Sequence, residues 1–117
     1  MKRRIAGVVA LWTVGGFVPP STAQTVQSVE KQGELIADQL CASCHAIGRE
    51  GASAEPKAPP FRELHKRYPV EQLAESLAEG IFTGHEMMPE FTLEPAQIEA
   101  FLAYLESLNP RSNERQP

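Results

Sequence analysis

The sequence predicts an all-α fold, and two observations support this prediction. Apolar residues recur at spacings of three and four in several segments, which is the period of an amphipathic helix. Between Gln24 and Pro117, no segment alternates convincingly between apolar and polar residues, as a half-buried strand would. We therefore expect one small core built between helices.

The N-terminus has the three parts of a secretory signal peptide. Cationic residues occupy positions 2–4, an apolar stretch of 14 residues covers 5–18, and small residues lead up to Ala23. We expect cleavage of residues 1–23, a mature start at Gln24, and export to the periplasm. The apolar stretch is shorter than the roughly 20 residues of a membrane span. An uncleaved leader that anchors the protein to the membrane is the alternative.

The rest of the chain is predicted to form one domain over residues 24–109, followed by a disordered polar tail over 110–117. Without the leader, eight Lys and Arg oppose 15 Asp and Glu, a net charge of −7. This charge disfavours nucleic acid and anionic membrane surfaces as partners. We expect a monomer with no stable membrane insertion after the leader is removed.

The first predicted helix leads into a pair of cysteines. Its apolar positions are Val29, Gly33, Ile36, Ala37 and Leu40. Glycine inside a helix costs about 1 kcal/mol relative to alanine, so Gly33 suggests a close approach by another helix. Five Gly and Pro residues then predict a loop over 46–60.

Three further helical segments are predicted after this loop. A short helix is expected over 61–68, and a second follows Pro69, with Gly80 as its stop. The apolar positions of that second segment are Val70, Leu73, Leu77 and Ile81. The last helix has Pro95 in its first turn and ends at Asn109-Pro110. Its apolar stripe consists of Ile98, Phe101, Leu102, Leu105 and Leu108.

The segment Cys41-Ala42-Ser43-Cys44-His45 matches the attachment motif for c-type haem. Two thiols at this spacing can add to the two vinyl groups of one porphyrin. The next residue, His45, is then held where its imidazole can serve as the proximal iron ligand. Cys41 and Cys44 are the only cysteines of the chain, so the motif predicts one covalent haem c per chain.

Two other interpretations of the cysteines remain open from the sequence. A thioredoxin-like redox pair requires a strand before the motif and a βαβ pattern around it, whereas the preceding segment has a helical period. A structural zinc site requires four ligands. Cys41 and Cys44 could supply two, but His65 and His85 are not spaced as a usual ligand pair.

A haem bound through His45 has a sixth coordination position, for which the sequence offers several candidates: Met87, Met88, His65 and His85. Thioether sulfur suits haem iron and raises its potential, whereas a second histidine would lower it. Met87 and Met88 lie in a loop predicted between two helices, and Pro89 restricts Met88 to an extended conformation.

A locally basic stretch surrounds His65 in this acidic chain. Its cations are Arg62, Lys66 and Arg67. One interpretation is a solvated helix face with a Glu63–Arg67 ion pair at i, i+4. The other is a docking patch or a contact to a haem propionate.

With these motifs the chain resembles the monohaem class I cytochromes c over Val29 to Leu108. The resemblance rests on the cysteine motif, on Met88-Pro89-x-Phe91, and on Tyr104-Leu105 in the last helix. It implies three to four helices packed around one covalent haem, with the N- and C-terminal helices crossing where Gly33 meets Tyr104.

The resemblance also implies roles for two residues outside the cysteine motif. Met88, which precedes the proline, would be the distal iron ligand. The carbonyl of Pro59 would accept a hydrogen bond from the proximal imidazole. Ala58 and Phe61 stand where the family pattern has glycine and leucine, so this match departs from the pattern at two positions.

With His45 and Met88 both on the iron, the resemblance implies a periplasmic electron carrier with no substrate chemistry of its own. Its partners would be redox proteins, such as an oxidase, a reductase or a dehydrogenase. Two alternatives remain: a haem subunit dedicated to an exported dehydrogenase, and a gas-binding haem protein with an open sixth site.

Overall fold

The computed structural model describes residues 22–80 and 87–109, with side chains from residue 26 onward. Three α-helices lie in this part of the chain: α1 (Thr22–Leu40), α2 (Leu73–Glu79) and α3 (Pro95–Ser107). Two 3₁₀ segments, Phe61–Lys66 and Val70–Gln72, precede α2. No strand occurs in the described residues, and the all-α prediction is confirmed.

Helices α1 and α3 cross at Gly33, as the resemblance implied. A Cβ atom at Gly33 would lie 2.7 Å from Tyr104 Cβ, and it would contact the Ala100 carbonyl more closely still. Only a residue without a side chain allows the two backbones to approach so closely. The packing at the crossing therefore explains why a glycine stands inside α1.

The core lies between α1, α3 and the segments before α2. Helix α3 begins with a capping box, in which the Gln97 side chain accepts a hydrogen bond of 2.9 Å from the Glu94 backbone N–H. Pro95 occupies the first turn, as predicted. Helix α2 is tied to the segment before α3 by a 2.8 Å hydrogen bond from Leu93 N to Leu77 O. The buried side chains of this core include Phe61, Leu64, Leu77, Phe101, Tyr104 and Leu105.

Two details differ from the predictions. Leu40, expected in the core, is 44% exposed, whereas Ala37 before it and Cys41 after it are buried. The predicted helix over 61–68 is a shorter 3₁₀ segment. Because a 3₁₀ helix has about three residues per turn, Glu63 faces Lys66 at 4.0 Å and does not form the expected ion pair with Arg67.

Other predictions hold or fall outside the described residues. Gly80 ends α2 as predicted, with a φ of 106° that favours glycine. Ile81, His85 and the tail over 110–117 lie outside the described residues. Helix α1 begins at Thr22, so it spans the predicted cleavage point after Ala23, and cleavage itself stays a prediction. None of the helices in 22–80 and 87–109 has the length and apolar character needed to cross a bilayer.

Candidate functional site

The cysteine motif forms a tight turn at the C-terminal end of α1. The N–H groups of Cys44 and His45 both donate to the carbonyl of Cys41, at 3.1 and 2.9 Å. Cys41 is buried, Cys44 is half-buried, and both thiols are free. The turn thus presents two unpaired thiols and the imidazole of the next residue from one short segment.

The imidazole of His45 is oriented by a backbone carbonyl. Its Nδ1 lies 2.8 Å from the carbonyl oxygen of Pro59. Because a carbonyl can only accept, Nδ1 must carry the proton, and the lone pair of the neutral ring is then on Nε2. This is the contact that the resemblance implied for Pro59, and Ala58 in place of glycine does not prevent it.

The ring of Phe61 packs against His45 and fixes the imidazole from a second direction. The two ring centroids lie 5.1 Å apart with the planes tilted by 43°. Phe61 in turn meets Phe101 of α3 edge to face, with the centroids 5.7 Å apart. Sequence reasoning missed this role and noted Phe61 only as a departure from the family's leucine. The signal was available, because Phe61 follows by two residues the Pro59 whose carbonyl accepts the hydrogen bond from His45.

The loop over 46–60 folds back onto the cysteine motif. Glu55 N donates to Cys44 O at 3.1 Å, and Phe61 N donates to Ala46 O at 3.0 Å. From the other side, the Tyr104 hydroxyl of α3 donates to the carbonyl of Ile47 at 2.9 Å. These hydrogen bonds hold the residues around His45 in a fixed position relative to the core.

The structure argues against a thioredoxin-like use of the cysteines. Burial raises the pKa of the Cys41 thiol to about 11, whereas a thiol–disulfide enzyme needs a thiol with a lowered pKa. The motif also follows the C-terminal end of α1 and is not preceded by a strand. Among the described residues, which do not include His85, no three His, Cys, Asp or Glu side chains form a group that could hold a metal ion.

The candidates for the sixth position are placed as follows. Met88 is half-buried at the start of the second described stretch, and Met87 beside it is 68% exposed. His65 is half-buried in the 3₁₀ segment Phe61–Lys66. His85 lies outside the described residues. The role of Met88 as distal ligand stays a prediction.

The described residues fit a covalently attached c-type haem on two observations. The two thiols are free for thioether bonds, and the Pro59 contact leaves His45 Nε2 as the nitrogen available to iron. Two thiols and one imidazole are thus the side chains that covalent attachment and axial ligation of a haem require.

Comparison with known proteins gives one finding. A family model described as "Cytochrome c" matches residues 30–109. The match covers the crossing helices, the cysteine motif, Pro59 and Met88. No curated protein and no solved structure matches the chain.

Proposed function

The chain belongs to the cytochrome c family, and from this we propose that it is a periplasmic electron carrier whose one haem has His45 and Met88 as axial ligands. Members of the family bind covalent haem c and transfer electrons to and from protein partners. Cys41, Cys44 and His45 fit the attachment motif. Three parts go beyond family membership and are our proposal: the periplasmic location, Met88 as the second axial ligand, and the role as a free electron carrier.

The observation that supports this function best is the arrangement of His45 beside the two free thiols. The bond from Nδ1 to Pro59 O at 2.8 Å selects the tautomer in which Nε2 can bind a metal. Both contacts of the ring, to Pro59 and to Phe61, come from one short segment. These two contacts would hold the imidazole in place while a bound iron gains or loses an electron.

A bound haem would supply an iron that gains and loses one electron. The contribution of the protein is to hold the axial ligand still, so that little rearrangement accompanies the transfer. His45 is half-buried beneath Phe61 and Phe101, an apolar environment that favours the less charged ferrous state. A second ligand from the chain would leave no open position on the iron for a substrate. These features support a carrier and not a catalyst.

The periplasmic location is supported by the signal-like N-terminus and by the motif itself. The leader has a cationic start, an apolar stretch and small residues before Gln24. Two thiols outside a disulfide are unusual for an exported protein, and thioether bonds to haem would protect them from oxidation. With a net charge of −7 after removal of residues 1–23, the protein would dock weakly and transiently with redox partners.

Absorption spectra of exported protein test the proposal most directly. The full chain would be produced in a host with the machinery for c-haem maturation, and spectra recorded in the oxidised and reduced states. We expect a low-spin c-type spectrum with the weak far-red band of methionine sulfur on ferric haem. Replacing Cys41 and Cys44 together by alanine should abolish covalent haem.

The distal ligand is tested by Met88→Ala, with Met87→Ala as the matched control. Met87 is the adjacent methionine and is 68% exposed, so its loss should change neither the spectrum nor the potential. Met88→Ala should retain covalent haem, lose the far-red band and lower the potential. If only Met87→Ala has these effects, the ligand is Met87. If neither does, Met88 is not the ligand, and His85→Ala becomes the next variant.

Two further outcomes separate the alternatives. Binding of carbon monoxide by the reduced wild-type protein would indicate an open sixth site and favour a gas-binding role. A stable one-to-one complex with an exported dehydrogenase, isolated by size-exclusion chromatography, would indicate a dedicated haem subunit. A monomer that reduces and oxidises several partners supports the free carrier.

A further inference from the structure

The cations of this acidic chain are concentrated in one segment, residues 57–67. This basic segment contains one acidic residue and four of the eight Lys and Arg that follow residue 23. The four cations are Lys57, Arg62, Lys66 and Arg67. The basic segment thus has a net charge of +3, whereas the rest of the chain after residue 23 has a net charge of −10. The charge of the protein is therefore distributed very unevenly.

The cations of the basic segment face solvent and are poorly neutralised. Lys57, Lys66 and Arg67 are exposed. Lys66 has Glu63 at 4.0 Å, but no carboxylate of the described residues lies within 4.0 Å of Lys57 or Arg67. An exposed ion pair such as that of Lys66 and Glu63 is weak. The segment therefore presents a positively charged surface to an approaching molecule.

The same segment contains the residues that support the imidazole of the cysteine motif. Pro59 accepts the hydrogen bond from His45, and the ring centroid of Phe61 lies 5.1 Å from that of the imidazole. Lys57 precedes Phe61 by four residues, and Lys66 follows it by five in a 3₁₀ segment. An extended chain advances about 3.5 Å per residue and a 3₁₀ helix about 2.0 Å, so both lysines lie within about 14 Å of Phe61. A protein bound to the basic segment would therefore lie beside the haem site.

The residues that follow the basic segment sharpen its contrast with the rest of the surface. Tyr68, directly after Arg67, is 36% exposed, and Tyr and Arg are the residue types enriched among the strongest contacts of protein interfaces. Beyond it, Glu71, Glu75 and Glu79 are all exposed and would repel an acidic protein. The charge therefore changes sign between Arg67 and Glu71, which would orient a charged partner.

We propose that the basic segment is the surface on which an acidic redox protein docks. This inference rests on the electron-carrier function proposed above and specifies the charge of the partner. Complementary charges speed association and fix the orientation of the encounter, while like charges suppress other orientations. At 0.1 M ionic strength, interactions between exposed charges are screened beyond about 10 Å. A partner close to Lys66 therefore responds to the local cations more than to the net charge of −7.

The test measures how fast the oxidised, exported holoprotein accepts an electron from reduced flavodoxin, an acidic redox protein that stands in for the partner. Stopped-flow absorbance of the haem gives the second-order rate constant, recorded between about 0.05 and 0.5 M ionic strength. We expect the rate constant to fall as salt is added, because salt screens the attraction between the basic segment and the acidic protein. Two acidic proteins that meet without such a segment would show the opposite dependence on salt.

Lys66→Glu is compared with Lys31→Glu, which changes the net charge of the protein by the same amount. The two lysines are closely matched: each side chain is 64% exposed, and each lies within 4.0 Å of a glutamate three residues away. Only Lys66 belongs to the basic segment. At 0.1 M ionic strength, Lys66→Glu should lower the rate constant about threefold or more, and Arg67→Glu should act in the same way. Lys31→Glu should leave the rate constant within about 1.5-fold of the wild-type value.

Equal effects of Lys66→Glu and Lys31→Glu would overturn the inference, because they would reflect net charge alone. A wild-type rate constant that rises with salt would overturn it too. The reduction potential of each variant is measured by spectroelectrochemical titration, and a slower rate that is explained by a changed potential would likewise count against docking. These results leave the proposed carrier intact if the wild-type protein shows His/Met ligation. A wild-type protein that lacks covalent haem would refute the proposed function itself.

Discussion

Replacing Gly33 by alanine should destabilise the protein because it adds a methyl group at the point where α1 and α3 touch. The new Cβ would lie 2.6 Å from the carbonyl carbon of Ala100 and 2.7 Å from Tyr104 Cβ, whereas ordinary contacts begin at 3.4 Å. These atoms belong to the backbone of α3 or are attached directly to it. No side-chain rotation can therefore relieve the overlap, and the helices must separate by about 0.7 Å or more.

The magnitude is a balance of two effects. Alanine is a better helix former than glycine by about 1 kcal/mol in a helix interior. Overpacking that forces a backbone shift typically costs 1–3 kcal/mol and occasionally more. Separation of α1 and α3 also loosens Ala37 and Leu105, which are 0% and 2% exposed. We place the overpacking cost at the upper end of that range, so the free energy of unfolding should fall by about 2 kcal/mol.

The assay is guanidinium unfolding of the exported holoprotein, followed by far-UV circular dichroism. Gly48→Ala is the control, because a Cβ at Gly48 would have no neighbour within 4 Å. That variant should be neutral or slightly stabilising, by up to about 1 kcal/mol, through the lower entropy of its unfolded chain. If Gly33→Ala unfolds at the same guanidinium concentration as Gly48→Ala, the close crossing is not a feature of the folded protein.

Two further variants test the support of His45. Tyr104→Phe leaves the Ile47 carbonyl without its donor and should lower the free energy of unfolding by about 1 kcal/mol in a urea titration. Burial raises the pKa of the Tyr104 phenol, so the folded state retains a proton that the unfolded chain releases near pH 10. The free energy of unfolding of the wild-type protein should therefore fall as the pH rises above about 10. It should fall more steeply than that of Tyr104→Phe. Equal pH dependence of the two unfolding free energies would contradict this. Phe61→Ala removes the ring between His45 and Phe101 and should cost about 3–5 kcal/mol in thermal unfolding, whereas a cost below 1 kcal/mol would show that the ring is not part of the core.

The helices and the cysteine turn could be predicted because local sequence determines them. The apolar period of α3, with Pro95 at its start, fits only a helix. The Gly33 contact was predictable only through the resemblance, because a glycine inside a helix does not by itself identify what approaches it. The structure shows which atoms approach Gly33: the backbone carbonyl of Ala100 and the Cβ of Tyr104.

Features that depend on distant contacts were not predictable from the sequence. Nothing in the spacing of Arg62, Lys66 and Arg67 shows which of them is partly buried. That distinction appears only when the loop over 46–60 folds back and brings Gly51 within hydrogen-bond reach of Arg62. Likewise, a helical period alone did not distinguish an α-helix from the 3₁₀ segment Phe61–Lys66, in which Glu63 faces Lys66.

Tyr104 connects the helix crossing to the proximal side of the site. Its Cβ is one of the atoms that Gly33 must accommodate, while its hydroxyl donates to Ile47 O, two residues beyond His45. A shift of α3 caused by Gly33→Ala should therefore already lengthen the hydrogen bond that Tyr104→Phe deletes.

A double-mutant cycle on these two substitutions tests the connection, with unfolding free energies of all four holoproteins. Residues in contact usually show interaction energies of about 0.5–3 kcal/mol. We expect the double variant to be less destabilised than the sum of the single variants, by about 0.5 kcal/mol or more. Strictly additive costs would mean that the packing of Gly33 and the hydrogen bond to Ile47 are independent, and that the crossing does not help to position the segment after His45.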